Sequence, residues 1–271
     1  MIKIYYFSST GNSLWSAKKI AQIIKEEKPS EICELHNVGK VPRKSTTIIE
    51  ADAVILIFPS YAYGMPRVMR NFVKTAVFKT PYIASFVTYG TSPRGTMGDL
   101  RRILEKKRTY AGYKVEKPQG IGKMFFGEIP AVENYLAIFG TPAPETIEER
   151  CKMQETATLE AAHSFLEKKE NKVSTFTPFS TIVWSLFWFG IKLFYIFYKV
   201  GKHCNGCSIC EKVCPVDAIQ MKNGKPHFTS KCEHCQACLN LCPLRAIQFS
   251  RVRFGTPGYC HPEININELM K

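Results

Sequence analysis

Eight of the eleven cysteines in this 271-residue chain repeat one spacing. Cys204, Cys207, Cys210 and Cys214, followed by Pro215, are answered 28 residues later by Cys232, Cys235, Cys238 and Cys242, followed by Pro243. Written C-x2-C-x2-C-x3-C-P, each copy offers three thiolates from one tight loop and sends a fourth across to its neighbour, the donor pattern of paired [4Fe-4S] cubes. The expected ligand sets are Cys204, Cys207 and Cys210 with Cys242, and Cys232, Cys235 and Cys238 with Cys214. Zinc would account for C-x2-C pairs, but not for three evenly spaced cysteines with a distant fourth, twice over. Disulfides belong to oxidising compartments and are a weaker account still. Cys33, Cys151 and Cys260 stand outside the spacing and read as packed or surface thiols, and His261 reads as structural.

The repeat extends past the ligands, because Cys-Pro-Val-Asp-Ala-Ile at 214–219 aligns with Cys-Pro-Leu-Arg-Ala-Ile at 242–247. Each half therefore reads as cluster loop, short helix, strand. Proline after the fourth cysteine has a fixed φ and no N–H, which keeps the chain from folding back over the cube. Asn205-Gly206 and Gln236-Ala237 are small enough to leave peptide N–H groups free to approach sulfur.

A second chemical signal lies at the N-terminus. The apolar run Ile2 to Phe7 empties into Ser8-Ser9-Thr10-Gly11-Asn12-Ser13, and Leu14, Ala17, Ile20, Ala21 and Ile24 follow at helical spacing. Strand, hydroxyl-rich glycine loop and helix N-terminus together make an anion site, with peptide N–H groups, hydroxyls and the positive helix end aimed at one phosphate. An N-cap alone needs fewer small polar residues. The loop lacks the Lys-Ser/Thr of a Walker A motif and the G-x-G-x-x-G of a dinucleotide fingerprint.

The elements needed to hold these loops alternate. Glu31–His36 is a weak strand, Ala51–Phe58 a strong one, and Pro59-Ser60-Tyr61-Ala62-Tyr63-Gly64-Met65-Pro66 follows as a loop. A helix from about Pro66 to Phe78, a strand at Tyr82–Thr88, the loop Tyr89 to Gly95, a helix at Asp99–Lys107 and a strand at Tyr113–Ile121 continue the alternation. A polar helix from Pro144 to Lys169 closes it. This pattern predicts an α/β doubly wound parallel sheet with ligand loops at the strand C-termini, followed by a small α+β two-cluster domain.

The first loop resembles the phosphate loop of flavodoxins, S/T-x-T-G-x-T, with Ser13 in place of the last threonine. The resemblance implies the strand order 2-1-3-4-5 and FMN, its phosphate held by Ser8, Ser9, Thr10, Gly11, Asn12 and Ser13. It further implies that Pro59, Ser60, Tyr61, Ala62, Tyr63 and Gly64 line the flavin ring. Tyr61 or Tyr63 would stack on the ring, and Gly64 would let the peptide approach it. Thr88, Tyr89, Gly90 and Gly95 fall in the third contacting segment. The cysteine repeat resembles bacterial-type two-cluster ferredoxins. Taken whole, the chain resembles the flavodoxin/ferredoxin fusion proteins of anaerobic bacteria and archaea, although it is basic where small ferredoxins of this type are commonly acidic.

The expected divisions are a flavodoxin-like domain over 1–170, an aromatic-rich connecting segment over 171–200, a two-cluster ferredoxin domain over 201–250 and a tail over 251–271. Residues 178–198 hold nine aromatic side chains and a single charge, Lys192. Length would allow a membrane span, but a charge in hydrocarbon is costly, and a span would part the cofactor domains by ~30 Å of bilayer. A packed seam between domains, or a segment lying on a membrane surface, is expected instead.

The formal charge is +14, before bound clusters and phosphate subtract from it. This favours an acidic redox partner protein or an anionic surface. Nucleic acid is not expected, since no nucleic-acid-binding motif accompanies the scattered basic residues. The N-terminal run reads as a strand and not as a secretory signal, which points to a reducing cytoplasm, with peripheral contact at the inner face of the membrane left open. Three functions stand at this point. One is an electron carrier holding FMN and two [4Fe-4S] clusters. Another is a flavin-dependent reductase of a small molecule, fed by its own clusters. The third is a redox sensor or membrane-associated scaffold that uses the same cofactors and the apolar segment.

Overall fold

A computed structural model describes residues 1–41, 46–109, 120–175 and 178–270. In chain order the first part contains β1 (Ile2–Tyr6), α1 (Asn12–Glu27), β2 (Cys33–Asn37), β3 (Ile48–Glu50), β4 (Ala53–Pro59) and α2 (Arg67–Thr75). There follow β5 (Val77–Tyr89), α3 (Thr96–Thr109), β6 (Ile121–Pro130), the single turn α4 (Leu136–Phe139) and α5 (Pro144–Leu166). Parallel pairing joins β2 to β1, β1 to β4, β4 to β5 and β5 to β6. These five strands have the flavodoxin-like order 2-1-3-4-5, and short β3 adds to the start of β5.

The central strands read as continuous apolar runs because helices cover both faces. Leu56 and Phe58 point to the side that carries α2 and α3, whereas Ile55 and Ile57 point to the side of α1 and α5. All four are fully buried, and each such side chain contributes roughly 1.5–3 kcal/mol on transfer from water. The sheet thereby fixes the loops at the C-terminal ends of β1, β4, β5 and β6 on one edge.

Two expected boundaries move. The helix expected to reach Phe78 stops at Thr75, because Val77 and Phe78 pair with Ile48 and Ile49 and begin a 13-residue strand. The fifth strand, expected at Tyr113–Ile121, is β6 at Ile121–Pro130, and 113–119 lie outside the described residues. Gly122, Lys123, Gly127 and Glu128 dilute the pattern of β6, while Met124, Phe126 and Ile129 supply the buried positions. Gly127 is required: a Cβ there would lie 2.7 Å from the Phe86 ring.

The aromatic stretch folds as α6 (Pro178–Phe194) and a 3-10 turn at Tyr195–Phe197. Its inner face docks on the flavodoxin-like part. Trp184 donates from Nε1 to the Met65 carbonyl at 3.0 Å, the Gly95 N–H donates to Ser180 Oγ at 3.1 Å, and Arg67 lies 4.4 Å over the Trp188 ring. Among the described residues no helix is long and apolar enough to cross a membrane.

The cysteine-rich part comprises β7 (Lys199–Val200), α7 (Ile209–Lys212), β8 (Ile219–Lys222), β9 (Lys225–Phe228), α8 (Ala237–Asn240) and β10 (Ile247–Gln248). Its internal repeat is visible in the backbone. Positive φ recurs at the 28-residue offset in Gly206 and His234, Ser208 and Gln236, and Asp217 and Arg245. This part is not a separate body. Cys210, Cys214, Phe228 and Phe249 belong to the same contiguous apolar core as Phe7 and Phe58. The tail then recrosses the flavodoxin-like part and ends in α9 (Ile266–Leu269).

Candidate cofactor sites

Cys204, Cys207, Cys210 and Cys242 line one small cavity between the two halves of the repeat. The fourth thiol comes from the other half. Cys214 correspondingly stands close enough to Cys232, Cys235 and Cys238 to raise the cost of ionising each of them. Among the described residues, no three His, Cys, Asp or Glu side chains converge on the position of a single ion. The first quartet surrounds a space instead. Burial pushes the Cys210 thiol up to about 12 and Cys232 up to about 11, and holds Cys235 and Cys238 well above the ordinary thiol range. Thiols so buried need bound metal charge to become thiolates, which suits the donor set to a thiolate-ligated metal centre. Peptide N–H groups already point at sulfur. Ala218 donates to Cys214, Ala246 to Cys242 and His234 to Cys232, each at 3.3 Å.

The two quartets differ in exposure. Cys207 is exposed, whereas Cys238 is buried and Cys235 borders a cavity that begins at the phosphate-type loop. That cavity, about 360 Å³, falls within the roughly 300–1,000 Å³ of small-ligand pockets. Ser8, Ser9, Thr10, Asn12 and Ser13 form one end, where α1 begins after Gly11 at φ 104°. Pro59, Ser60, Tyr61, Ala62 and Tyr63 form one wall, and Thr88, Tyr89 and Gly90 another. A hydroxyl-lined helix N-terminus leading to aromatic walls fits the phosphate and ring of FMN.

The loop after β4 is held by reciprocal Tyr61–Gly64 backbone hydrogen bonds of 2.8 and 3.1 Å, with Ala62 at φ 48° and Tyr63 at φ 63°. Such a turn normally takes Gly or Asn at both central positions, so this one stores strain beside the cavity. Tyr61 donates to Ser9 Oγ at 3.0 Å, tying the loop to the phosphate end.

Three of the expected residues stand outside the cavity wall. Gly64 is outside the cavity wall, and its missing Cβ admits Trp184, whose Cδ1 would otherwise be 2.1 Å away. Gly95 serves α6 through Ser180, and Gly11 faces His261 and Ile264 of the tail. Asn12 lines the cavity, but its side chain is engaged at both ends: Nδ2 donates to the Val132 carbonyl at 3.0 Å and Oδ1 accepts from the Tyr259 hydroxyl at 2.7 Å. It braces the loop.

Sequence reasoning missed the rest of the wall. Ala131 to Tyr135, after β6, close the cavity on the side of the sheet edge, and Val183 and Phe187 of α6 cover it. Correct placement of β6 would have identified the first group. His234 and Cys235, inside the second cysteine loop, complete the wall. His234 Nδ1 is 2.9 Å from the Tyr135 hydroxyl, whereas its Nε2 is buried without a hydrogen-bond partner. Arg67 clamps this loop to the flavodoxin-like part through Glu233 at 3.2 Å and the Cys232 carbonyl at 3.1 Å.

The tail reaches the same place. Tyr259 joins Asn12 to Asn240 of α8, its N–H donating to Asn240 Oδ1 at 2.9 Å. His261 donates its N–H to the Thr10 carbonyl at 2.8 Å and stacks on Trp15 at 5.0 Å. Burial pushes the His261 imidazole down to about 4. Because the released tail protonates near 6.5 and the docked tail only near 4, docking is fully present above that window and is lost as pH falls through it. Protection of the His261 amide against hydrogen exchange, corrected for intrinsic rate, is expected to fall by about 2 kcal/mol between pH 7 and pH 5. Protection that stays constant would show that the ring is not neutral and buried.

Family models agree with this architecture. A family model described as a flavodoxin domain matches residues 3–122, and one described as a 4Fe-4S dicluster domain matches residues 203–247. No curated protein matches. Among solved structures, the rubredoxin oxygen:oxidoreductase of Desulfovibrio gigas is 14% identical over 60% of this chain and 36% of that one, with a TM-score of 0.32. This chain thus spans about a third of that protein. A Streptococcus pneumoniae flavodoxin is 15% identical over 59% of this chain and 98% of its own, with a TM-score of 0.34. Flavodoxin 2 from Bacillus cereus is 15% identical over 62% and 99%, with a TM-score of 0.36. The chain therefore joins a flavodoxin domain to a 4Fe-4S dicluster ferredoxin domain in one polypeptide, the make-up of a flavodoxin/ferredoxin fusion.

Proposed function

We propose that this protein is an electron carrier that holds one FMN and two [4Fe-4S] clusters and exchanges electrons with a redox partner protein. The observation that carries the reading is the shared wall: His234 and Cys235 of the second cysteine loop border the cavity that begins at the Ser8–Ser13 loop. When bound, the clusters supply one-electron steps and the flavin a two-electron store, so tethering them interconverts one- and two-electron donors. Cys207 leaves the first quartet open to the surface, and Lys225 Nζ donates to the Cys204 carbonyl of the same loop at 2.7 Å. Cys238 lies close enough to Cys210 for the two thiols to repel as thiolates, which brings the quartets together. The chain thus lays out a route from surface to first quartet, second quartet and flavin cavity. Its exposed end is basic, which suits an acidic partner.

An anaerobic preparation is expected to contain about eight iron and eight sulfide per chain, together with one FMN. About four iron, or zinc in place of iron, would contradict the two-cluster assignment.

A further inference from the structure

We infer that the outer face of α6 is a docking surface for an anionic phospholipid membrane, with the helix lying in the plane of the interface. The inference concerns the surface of the chain and stands whether or not the electron-carrier reading holds. Phe179, Ile182, Leu186, Phe189 and Leu193 follow one another at steps of three and four residues along one side of α6, and Ile196 extends the row into the 3-10 turn. Their exposure runs from 58% at Phe179 and Ile182 to 81% at Phe189. The result is an apolar stripe ~26 Å long, unlike the singly scattered apolar residues of an ordinary surface.

The stripe is fixed outward. On the opposite side of the helix, Trp188 stacks under Arg67 at 4.4 Å and Trp184 under Arg70 at 4.9 Å, while the Trp184 indole bonds to Met65. Rotation that buried Phe189 would break these contacts.

Charge selects the occupant. Residues 171–210 contain four lysines and no Asp or Glu. Exposed Arg94 lies 5.6 Å over the Phe179 ring at one end of the stripe, and exposed Lys199 and Lys202 follow its other end. A second copy packed on the same stripe would bring cations together with no carboxylate from this segment between them. Phospholipid headgroups answer both features, apolar area for the stripe and phosphate for its basic ends. The length of the helix suits lying on a bilayer and not crossing it.

The cavity adjoins the same helix. Val183 and Phe187 of the same helix line it, together with Ile138 and Phe139, which are 65% and 55% exposed. Docking would therefore set the apolar rim of the flavin-type cavity next to the bilayer.

Cosedimentation of the cofactor-loaded full chain with vesicles tests this, using phosphatidylcholine alone against phosphatidylcholine mixed with phosphatidylglycerol. The wild-type chain should partition onto the anionic vesicles. A Leu186→Ser, Phe189→Ser, Leu193→Ser variant with unchanged flavin and cluster absorbance should bind at least about tenfold more weakly. Lys199→Gln with Lys202→Gln, or added salt, should weaken binding about fivefold or more. Wild-type chain that stays in the supernatant, or a serine variant that binds as tightly as wild type, would overturn the proposal. So would a wild-type dimer that the serine substitutions convert to monomer while vesicles take up neither form, because the stripe would then belong to a second copy.

Discussion

Replacing Cys214 by Ala is expected to remove about half of the iron, and the cluster lost is not the one nearest in sequence. Cys214 follows directly on the Cys204, Cys207, Cys210 loop, yet its thiol stands with Cys232, Cys235 and Cys238. Cys242 in turn closes the first quartet. A double variant distinguishes this crossing from two self-contained halves. Cys207→Ala combined with Cys214→Ala removes one ligand from each quartet if the fourth ligands cross, and almost no iron should remain. If they do not cross, both substitutions fall on one cluster and about half of the iron should survive. The single Cys214→Ala variant should also break the route to the flavin, because the quartet it damages contains the cavity residue Cys235.

Gly258→Ala is expected to cost about 3 kcal/mol and to weaken FMN binding, although residue 258 does not line the cavity. A Cβ at this position would lie 2.0 Å from the Asn240 carbonyl oxygen and 2.5 Å from its carbon, and neither backbone atom can turn aside. The tail must lift from α8. Tyr259 then leaves both Asn240 and Asn12, and the loop that begins α1 loses its brace. Tyr259→Phe is the milder comparison. It removes only the hydroxyl bonded to Asn12 Oδ1 and should cost about 1–2 kcal/mol, the usual penalty for an unmet buried partner. Equilibrium titration of the apoprotein with FMN, alongside urea midpoints, reads both effects. An unchanged FMN affinity in Gly258→Ala would mean that the tail does not support the site.

What was legible in the sequence follows from how local each signal is. The cysteine repeat could be read because three ligands of each quartet must come from one loop, so chemistry sets their spacing directly. The hydroxyl loop could be read because an anion site at a helix N-terminus needs only one strand, one turn and one helix. The parallel doubly wound sheet was legible from the alternation of elements, since short right-handed crossovers leave few arrangements, whereas its strand order came from the resemblance of the first loop to flavodoxins. Strand β6 was not legible, because its two glycines and its polar positions hide an alternation that only the neighbouring β5 makes visible. The Tyr259–Asn12 hydrogen bond spans 247 residues, and no local pattern announces it. His234 and Cys235 show the same limit. Cys235 was read as a cluster ligand, but that its loop also walls the flavin-type cavity depends on how two domains pack. Gly64 was assigned to the flavin by resemblance, whereas in this chain the Trp184 ring of α6 takes up the space that its missing side chain leaves.

The central claim is that electrons pass between clusters and flavin inside one molecule. Rapid chemical reduction of the clusters in the anaerobic holoprotein, followed by the loss of oxidised-flavin absorbance across a dilution series, tests it most directly. The shared wall of His234 and Cys235 predicts a flavin reduction rate that does not change with protein concentration. A rate that rises in proportion to concentration would place the transfer between molecules and contradict the account.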